Sequence, residues 1–256
     1  MHLQHIRHST VKINVNQFTF LVDPMFSSKE ELEPVANAAN TLKNPLVDLP
    51  IPIEGILNNV DAIFLTHSHR DHFDDKAISK VPKSTQIFCQ PEDRLKLLEL
   101  GFKNVVQVND QIEWNKVNII RTGGQHGTGE LAKQMGPVSG FILKAVGEPS
   151  LYVAGDTVWC DEVLNAIKTY SPNVIILNGG EARYLTGDPI TMGNKDIELV
   201  SMAAPNSEIV VVHLEAWNHC LLSRAEINNN IITNGIENVK VPLNGEILNY
   251  DLKLIY

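Results

Sequence analysis

The sequence predicts an α+β fold in which two β-sheets form the core and helices cover their outer faces. Short strand-like segments outnumber helical ones in both halves of the chain, and the helical segments fall between them. The 256 residues and 43% hydrophobic content suit one sizeable globular domain spanning residues 1–256. Packing two sheets face to face, with helices outside, buries the apolar side of every element.

Composition excludes several classes of protein. A net charge of −9 without a basic run disfavours a nucleic-acid partner, because phosphate backbones require clustered Lys and Arg. No apolar run approaches the roughly 20 residues that span a bilayer, and the N-terminus is too polar for a secretory signal. Cys89, Cys160 and Cys220 are scattered and form no CxxC pair. We expect a cytoplasmic protein with a small-molecule substrate, which can be anionic, no membrane partner, and an oligomeric state that the sequence leaves open.

The first elements are three short strands at residues 3–8, 10–15 and 18–22, the last two joined as a hairpin. Residues 24–59, here called the proline-rich segment, follow with no clear hydrophobic period and with prolines at 24, 34, 45, 50 and 52. Irregular segments of this length are usually functional or mobile. We interpret this one as a lid or pocket wall.

Regular alternation then resumes. The sequence predicts strands at 62–66, 86–89, 105–108, 111–114 and 117–121, with helices starting near Asp74 and at Pro91. In the second half it predicts strands at 138–144, 150–154, 173–177, 208–212, 239–241 and 246–252, and helices at 161–170, 195–203 and 223–234. Ser223 with Glu226 forms a capping box at the start of the last helix, and Gly235 ends it.

The strongest chemical signal is Thr66-His67-Ser68-His69-Arg70-Asp71-His72, directly after an apolar strand. Imidazole and carboxylate are ligands for zinc, iron and manganese. In an extended segment His67 and His69 point the same way and can bind one ion together. A turn after them lets Asp71 and His72 face a second ion. The alternative is a His-rich surface turn in which Asp71 only caps a helix.

Four further segments extend this motif in order along the chain. Asp23 and Asp156 follow buried strands, His126 follows Gly123-Gly124, and His213 ends the strand 209–212. Together with HxHxDH they resemble the metallo-β-lactamase fold superfamily. The resemblance covers most of the chain and implies a four-layer αββα sandwich of the metallo-β-lactamase type, with two divalent metal ions, whether zinc, manganese or iron.

The resemblance also implies a role for each matching residue. His67, His69 and His126 would bind the first ion, and Asp71, His72 and His213 the second, with Asp156 bridging both. Asp23 would sit behind them as an acceptor that orients a ligand. Locally, Asp23 also fits a simple turn former before Pro24.

Two short stretches, residues 6–10 and 213–220, resemble the L-ascorbate-6-phosphate lactonase-like branch of the superfamily. They leave ambiguities. His219 competes with His213 as the last ligand, and we prefer His213 because a strand end is a rigid position. We assign catalytic roles to Asp71, which can shuttle a proton, and to His219 and His8, which can donate to the substrate or to an oxyanion.

The expected activity is hydrolysis of a small ester-like substrate, a lactone or a phosphoester, by a metal-bound hydroxide. One alternative is a metal-dependent nuclease acting on RNA or DNA, which the acidic balance disfavours. Another is a non-catalytic metal-binding protein, because fold alone does not establish activity.

Overall fold

Two mixed β-sheets of seven strands each lie at the centre of the protein in a computed structural model, which describes residues 1–251. The strands of the first sheet are β1 (His2–Arg7), β2 (Thr10–Val15), β3 (Phe18–Val22), β4 (Ala62–Leu65), β5 (Gln86–Cys89), β6 (Asn104–Gln107) and β14 (Ile247–Asn249). Those of the second are β7 (Gln111–Trp114), β8 (Val117–Thr122), β9 (Gly140–Ala145), β10 (Leu151–Val153), β11 (Val174–Asn178), β12 (Glu208–Val212) and β13 (Val239–Lys240).

The two sheets repeat one topology. The first runs β14-β1-β2-β3-β4-β5-β6 and the second β13-β12-β11-β10-β9-β8-β7. In the first sheet β1, β2 and β3 pair antiparallel, whereas β3, β4, β5 and β6 pair parallel. In the second, β7 to β10 pair antiparallel and β10 to β13 parallel. Parallel strands need crossovers, so helices must lie on a face of each sheet.

Two helices begin at residues whose side chains cap them. Asp74 accepts a hydrogen bond from the backbone N–H of Ala77, and Ser223 forms the predicted capping box with Glu226. The helices are α1 (Ile53–Leu57), α2 (Asp75–Lys80), α3 (Arg94–Glu99), α4 (Gly129–Met135), α5 (Asp161–Tyr170), α6 (Asn194–Ala203) and α7 (Arg224–Asn234), with a 3-10 turn at Pro91–Asp93 before α3.

Three apolar clusters define four layers. The central cluster lies between the sheets, where Phe64 of the first sheet packs 5.3 Å from Phe141 of the second. A second cluster packs α5, α6 and α7 against the outer face of the second sheet, and a third packs α1, α2 and α3 against the first. The predicted α+β fold, an αββα sandwich, is therefore confirmed.

Most strands lie within one or two residues of their predicted positions, but two helices were not predicted. Helix α1 lies inside the proline-rich segment and is too short to show a helical period among the prolines. Helix α4 begins at Gly129, whose φ is 56°. The final strand, predicted at 246–252, is the shorter β14, and Leu252 lies outside the described residues. Within residues 1–251, no helix combines the length and the apolar character needed to cross a bilayer.

Both sheets present the carboxyl ends of their parallel strands at one edge of the sandwich. Asp23 and Thr66 follow β3 and β4 in the first sheet, and Asn178 and His213 lie at the ends of β11 and β12 in the second. The backbone N–H of His213 donates to the carbonyl of His8, which joins the two sheets at this edge. Polar residues from distant parts of the chain therefore meet there.

Candidate metal centre

The loop after β4 brings the motif histidines to the sheet edge. Nε2 of His67 lies 2.9 Å from Nδ1 of His69, so these two nitrogens converge on one point. The chain then turns, because the N–H groups of His72 and Phe73 both donate to the carbonyl of His69. This turn brings His72 back beside the first pair, with its ring 4.1 Å from that of His67 between centroids.

The first group of donors is completed from the second sheet. His126 lies in the segment after β8, and its ring lies 5.3 Å from His67 and 5.2 Å from His69 between centroids. The Nδ1–H of His126 donates to the carbonyl of Ile190 at 2.8 Å, which leaves Nε2 free to face the group. His67, His69 and His126 thus offer three nitrogens within 4.8 Å of one another.

The second group combines both sheets in the same way. Oδ2 of Asp71 lies 3.5 Å from Nε2 of His213 and 3.9 Å from Nε2 of His72. His213 sits with φ of 67° directly after β12, a left-handed conformation in which non-glycine residues are uncommon. On the far side of its ring, Nδ1 lies 3.4 Å from the thiol sulfur of Cys220.

Asp156 lies between the two groups. Its Oδ2 is 3.1 Å from Nε2 of His72 and 3.5 Å from Nε2 of His126, while its Oδ1 is 3.5 Å from Nε2 of His213. The amide of Asn178 donates to Oδ1 and fixes the carboxylate. Gly155 permits this position, since its φ of 71° is left-handed and a Cβ there would lie 2.7 Å from the carbonyl of Ser139.

Asp23 supports the motif loop from behind. It accepts hydrogen bonds from the backbone N–H and the hydroxyl of Thr66, at 2.8 and 2.7 Å, and from Nδ1–H of His72 at 2.9 Å. The carboxylate is 1% exposed, so no solvent substitutes for these partners. The hydrogen bond to Nδ1 orients the ring of His72 so that Nε2 faces Asp156 and Asp71.

Mutual interactions control the charges in this centre. Burial acts to raise the pKa of Asp71 and Asp156, but the surrounding imidazoles hold the pKa of each carboxyl well below its usual range. Burial acts to lower the pKa of His72, but Asp156, Asp23 and Asp71 raise it to about 10. At His213, too, the carboxylates of Asp156 and Asp71 outweigh burial and raise the pKa of the ring. The ionised carboxylate of Asp71 in the second group, with that of Asp156 beside it, therefore attracts positive charge.

The first group differs, because burial dominates there. It lowers the pKa of His67 and of His126, and the carboxylate of Asp156 only partly opposes this. Both rings are therefore neutral at neutral pH, which is the form that binds a metal ion.

The donor set fits a pair of divalent cations. Ligand atoms 2.0–2.1 Å from a tetrahedral ion lie about 3.3 Å apart, and the distances within the cluster run from 2.9 to 4.0 Å. Nε2 of His72 and Nε2 of His213 are buried and make no hydrogen bond in the described chain, although carboxylate oxygens lie close. Buried nitrogens without a partner are costly, and a cation satisfies them.

A cavity of about 200 Å³ opens beside the cluster. On the cluster side the cavity is bordered by His69, Arg70, Asp71, His126 and Asp156, and His219 borders it from the loop after β12. The remaining walls come from the proline-rich segment, α4 and the loops after β11 and β12, through Val35, Met135, Tyr184, Ile190 and Trp217.

The sequence-derived residues occupy distinct places at this centre. The structure brings His67, His69, Asp71, His72, His126, Asp156 and His213 together, with Asp23 behind them. His219 lies at the cavity rather than in either donor group, and burial lowers its pKa to about 4. His8 is fully buried and offers a ring nitrogen within 4.8 Å of the donor atoms of Asp71, His72 and His213, but it is not among the residues that line the cavity within 1–251.

Sequence reasoning missed several residues that support the centre. Asn178 ends β11 and donates to Asp156, and the thiol of Cys220 lies 3.4 Å from Nδ1 of His213, but neither was predicted to support the centre. Asn218 was not singled out, although its side chain exchanges hydrogen bonds with Val35, Asn40 and Asn44. These bonds fix one cavity wall against the loop of His219. The strand-end position was the available signal for Asn178; the others had none.

Comparison with known proteins agrees with this architecture. A family model described as a β-lactamase superfamily domain matches residues 19–214. The UPF0173 protein YddR of Bacillus subtilis is 40% identical over 250 residues, covering 96% of this chain and 98% of that protein. The chain is also similar to a UPF0173 metal-dependent hydrolase of Methanosphaera stadtmanae, at 23% identity over 85% of each chain.

Two solved structures superpose closely on the whole chain. A possible metal-dependent hydrolase from Veillonella parvula has a TM-score of 0.94 and 38% identity, covering 97% of this chain and 98% of that one. An isothiocyanate hydrolase from Delia radicum gut bacteria has a TM-score of 0.94 and 35% identity, covering 98% and 100%.

Proposed function

The chain belongs to the family described as the β-lactamase superfamily domain, and proteins similar to it are named as metal-dependent hydrolases. From that premise we propose a specific activity. The protein hydrolyses a small, uncharged substrate at an electrophilic carbon, with two divalent cations held by the His and Asp cluster. The convergence of seven donor side chains from both sheets, with Asp156 between the two groups, carries this proposal.

His67, His69 and His126 would hold one cation, and Asp71, His72 and His213 the other, with Asp156 shared between them. Mixed imidazole and carboxylate donors suit zinc, manganese and iron alike. When bound, such a pair of cations lowers the pKa of a water molecule and stabilises negative charge that develops on the attacked group.

Two residues at the cavity contribute polar chemistry. His219 is neutral at neutral pH because burial lowers its pKa to about 4, so one ring nitrogen can donate to a substrate while the other accepts a proton. Its Nδ1 has no hydrogen-bond partner in the described chain. Asp71 borders the same cavity with an ionised carboxylate, which can accept a proton from water and pass it to a leaving group.

The cavity walls favour a small substrate without a phosphate. A volume of about 200 Å³ is below the range of roughly 300–1,000 Å³ typical of drug-sized ligands. Arg70, the one cationic side chain among the lining residues, donates to the carbonyl of Glu33 and lies 5.4 Å from the Trp217 ring centroid. Since its guanidinium is engaged with the protein, the lining side chains would add little to the cations in binding a phosphoryl group.

These features favour a lactone, or the central carbon of an isothiocyanate, over a phosphoester. The isothiocyanate hydrolase is similar to this chain over its whole length, which makes that substrate class a direct candidate. Both classes present an electrophilic carbon and need no phosphate-binding residues.

The test is a substrate panel with the purified protein, before and after removal of metal by a chelator. The panel comprises a γ-lactone, an aryl-alkyl isothiocyanate, a phosphodiester and single-stranded RNA. We expect metal-dependent turnover of the lactone or the isothiocyanate. Cleavage of RNA or of the phosphodiester alone would contradict the proposed substrate class, and inactivity across all four would favour a non-catalytic protein.

Matched variants connect turnover to the cluster. We expect Asp156→Asn and His69→Ala to lose at least about 100-fold in kcat/KM, since each removes a ligand. Asp110→Asn and His2→Ala make the same changes at exposed positions and should retain activity. Full activity and metal content in both cluster variants would refute the assignment.

A further inference from the structure

The turn between β1 and β2 lies directly behind the second donor group. His8 in this turn has φ of 57°, a strained conformation for a residue with a side chain, and its side chain is completely buried. Because His8 does not border the cavity, it has no access to a substrate there. Strain of this kind persists where the surrounding contacts hold it, so the contacts of His8 indicate its role.

His8 contacts ligands from both halves of the molecule. Its Nε2 lies 3.3 Å from Oδ2 of Asp71, and its ring lies 3.6 Å from the ring of His213 between centroids. Its backbone carbonyl accepts the N–H of His213 at 2.9 Å and lies 3.1 Å from Nε2 of His5. Trp217 stacks on the same ring at 6.0 Å.

The next residue supports the same carboxylate. The hydroxyl of Ser9 donates to the backbone carbonyl of Asp71 at 3.3 Å, so this short turn holds both the side chain and the main chain of that ligand.

The ring of His8 is not anchored as two of the proposed ligand rings are. A metal-binding histidine usually donates its second ring N–H to an acceptor, as His72 does to Asp23 and His126 does to the carbonyl of Ile190. Nδ1 of His8 has no partner within residues 1–251. The ring proton therefore belongs on Nε2, where Asp71 accepts it.

We infer that His8 is a positioning residue for the second cation, holding Asp71 through Nε2–H and His213 through its carbonyl. The inference rests on the proposed function, since it presumes a cation bound by Asp71, His72 and His213. Without the Nε2–H donor, Oδ2 of Asp71 would lose the contact that directs it, and the second cation would bind more weakly than the first.

The experiment compares His8→Leu with His8→Gln. The amide of glutamine can present an N–H near the position of Nε2, whereas leucine fills space without a donor. Cobalt(II) is titrated into metal-free protein and followed by its visible absorption bands and by calorimetry. We expect wild type to bind two equivalents, His8→Leu to bind the second about 10–100-fold more weakly, and His8→Gln to restore it with unshifted bands.

The outcomes separate this inference from the proposed function. If wild type binds no cobalt, the proposed function itself fails. If wild type binds two equivalents and His8→Leu binds them equally well, only the inference is wrong. If His8→Gln loses the second equivalent and its absorption bands change, His8 is itself a ligand, and the inference is overturned.

Two controls exclude a general effect on folding. His2→Leu makes the same change at the exposed end of β1 and should bind both equivalents as wild type does. Thermal unfolding of each metal-free variant checks its fold. If His8→Leu does not fold, His8→Gln carries the test, because two equivalents with wild-type bands support the inference and a lost equivalent overturns it.

Discussion

Replacing Asp23 with asparagine changes one oxygen into an amide at the centre of three hydrogen bonds. Oδ1 can still accept the backbone N–H of Thr66. The hydroxyl of Thr66 can rotate so that its oxygen accepts from the new amide, as this oxygen also can from Nδ1–H of His67, 3.2 Å away. The Nδ1–H of His72 cannot adapt, since it would face another N–H donor.

Asp23→Asn therefore removes the hydrogen bond that His72 donates to the charged carboxylate, which contributes about 1.5–3 kcal/mol. At 1.4 kcal/mol per factor of ten, we expect the affinity for the cation at His72 to fall roughly 10–100-fold. The other cation site should change less, because its ligands His67, His69 and His126 make no hydrogen bond to Asp23 within residues 1–251, and only His67 contacts Thr66.

The assay is competition between the protein and a chelator of known affinity, with the two binding steps resolved by calorimetry. Asp61→Asn is the matched control, because Asp61 also accepts a backbone N–H, that of Thr19, but lies on the exposed side of the same sheet. Equal loss in both binding steps, or no loss in either, would refute the idea that Asp23 acts through His72.

Three further predictions test other features. Nearby carboxylates outweigh burial and raise the pKa of His72 to about 10. The metal-free protein therefore holds a proton on the His72 ring, and a cation must displace that proton. Second-cation affinity should rise about tenfold per pH unit from about pH 7 to 9; a pH-independent affinity would count against this. Asn218→Ala should raise KM and lower the free energy of unfolding by about 1–3 kcal/mol, because its amide fixes the proline-rich segment; an unchanged KM would contradict this. Gly180→Ala should destabilise the protein in chemical denaturation by about 1–3 kcal/mol or more, because a Cβ there would lie 2.2 Å from the carbonyl of His213, whereas Gly55→Ala, with 3.9 Å to its nearest neighbour, should be tolerated.

The fold was largely predictable from local patterns, and the donor groups from the resemblance to the metallo-β-lactamase superfamily, whose ligands follow strands. Alternating apolar residues fixed most strands to within two positions. The donors Asp156 and His213 follow buried strands, and the carboxyl ends of parallel strands share one edge of a sheet. The parallel order of these strands therefore indicates that Asp156 and His213 lie close together.

The roles of His8 and of the cavity walls could not be predicted from local patterns. His8 follows a strand that is distant in sequence from Asp71 and His213, and only the packing of the two sheets brings the three together. Tyr184 and Trp217 lie in loops without regular period, so their positions depend on tertiary contacts such as those of Asn218. The same dependence explains why the proline-rich segment appeared irregular.

The most direct test of the central claim is a crystal structure of metal-loaded protein with data recorded on both sides of the metal absorption edge. We expect two anomalous peaks, one bounded by His67, His69 and His126 and the other by Asp71, His72 and His213, with Asp156 between them. No peak at the cluster, or a peak coordinated by other residues, would contradict the proposed centre.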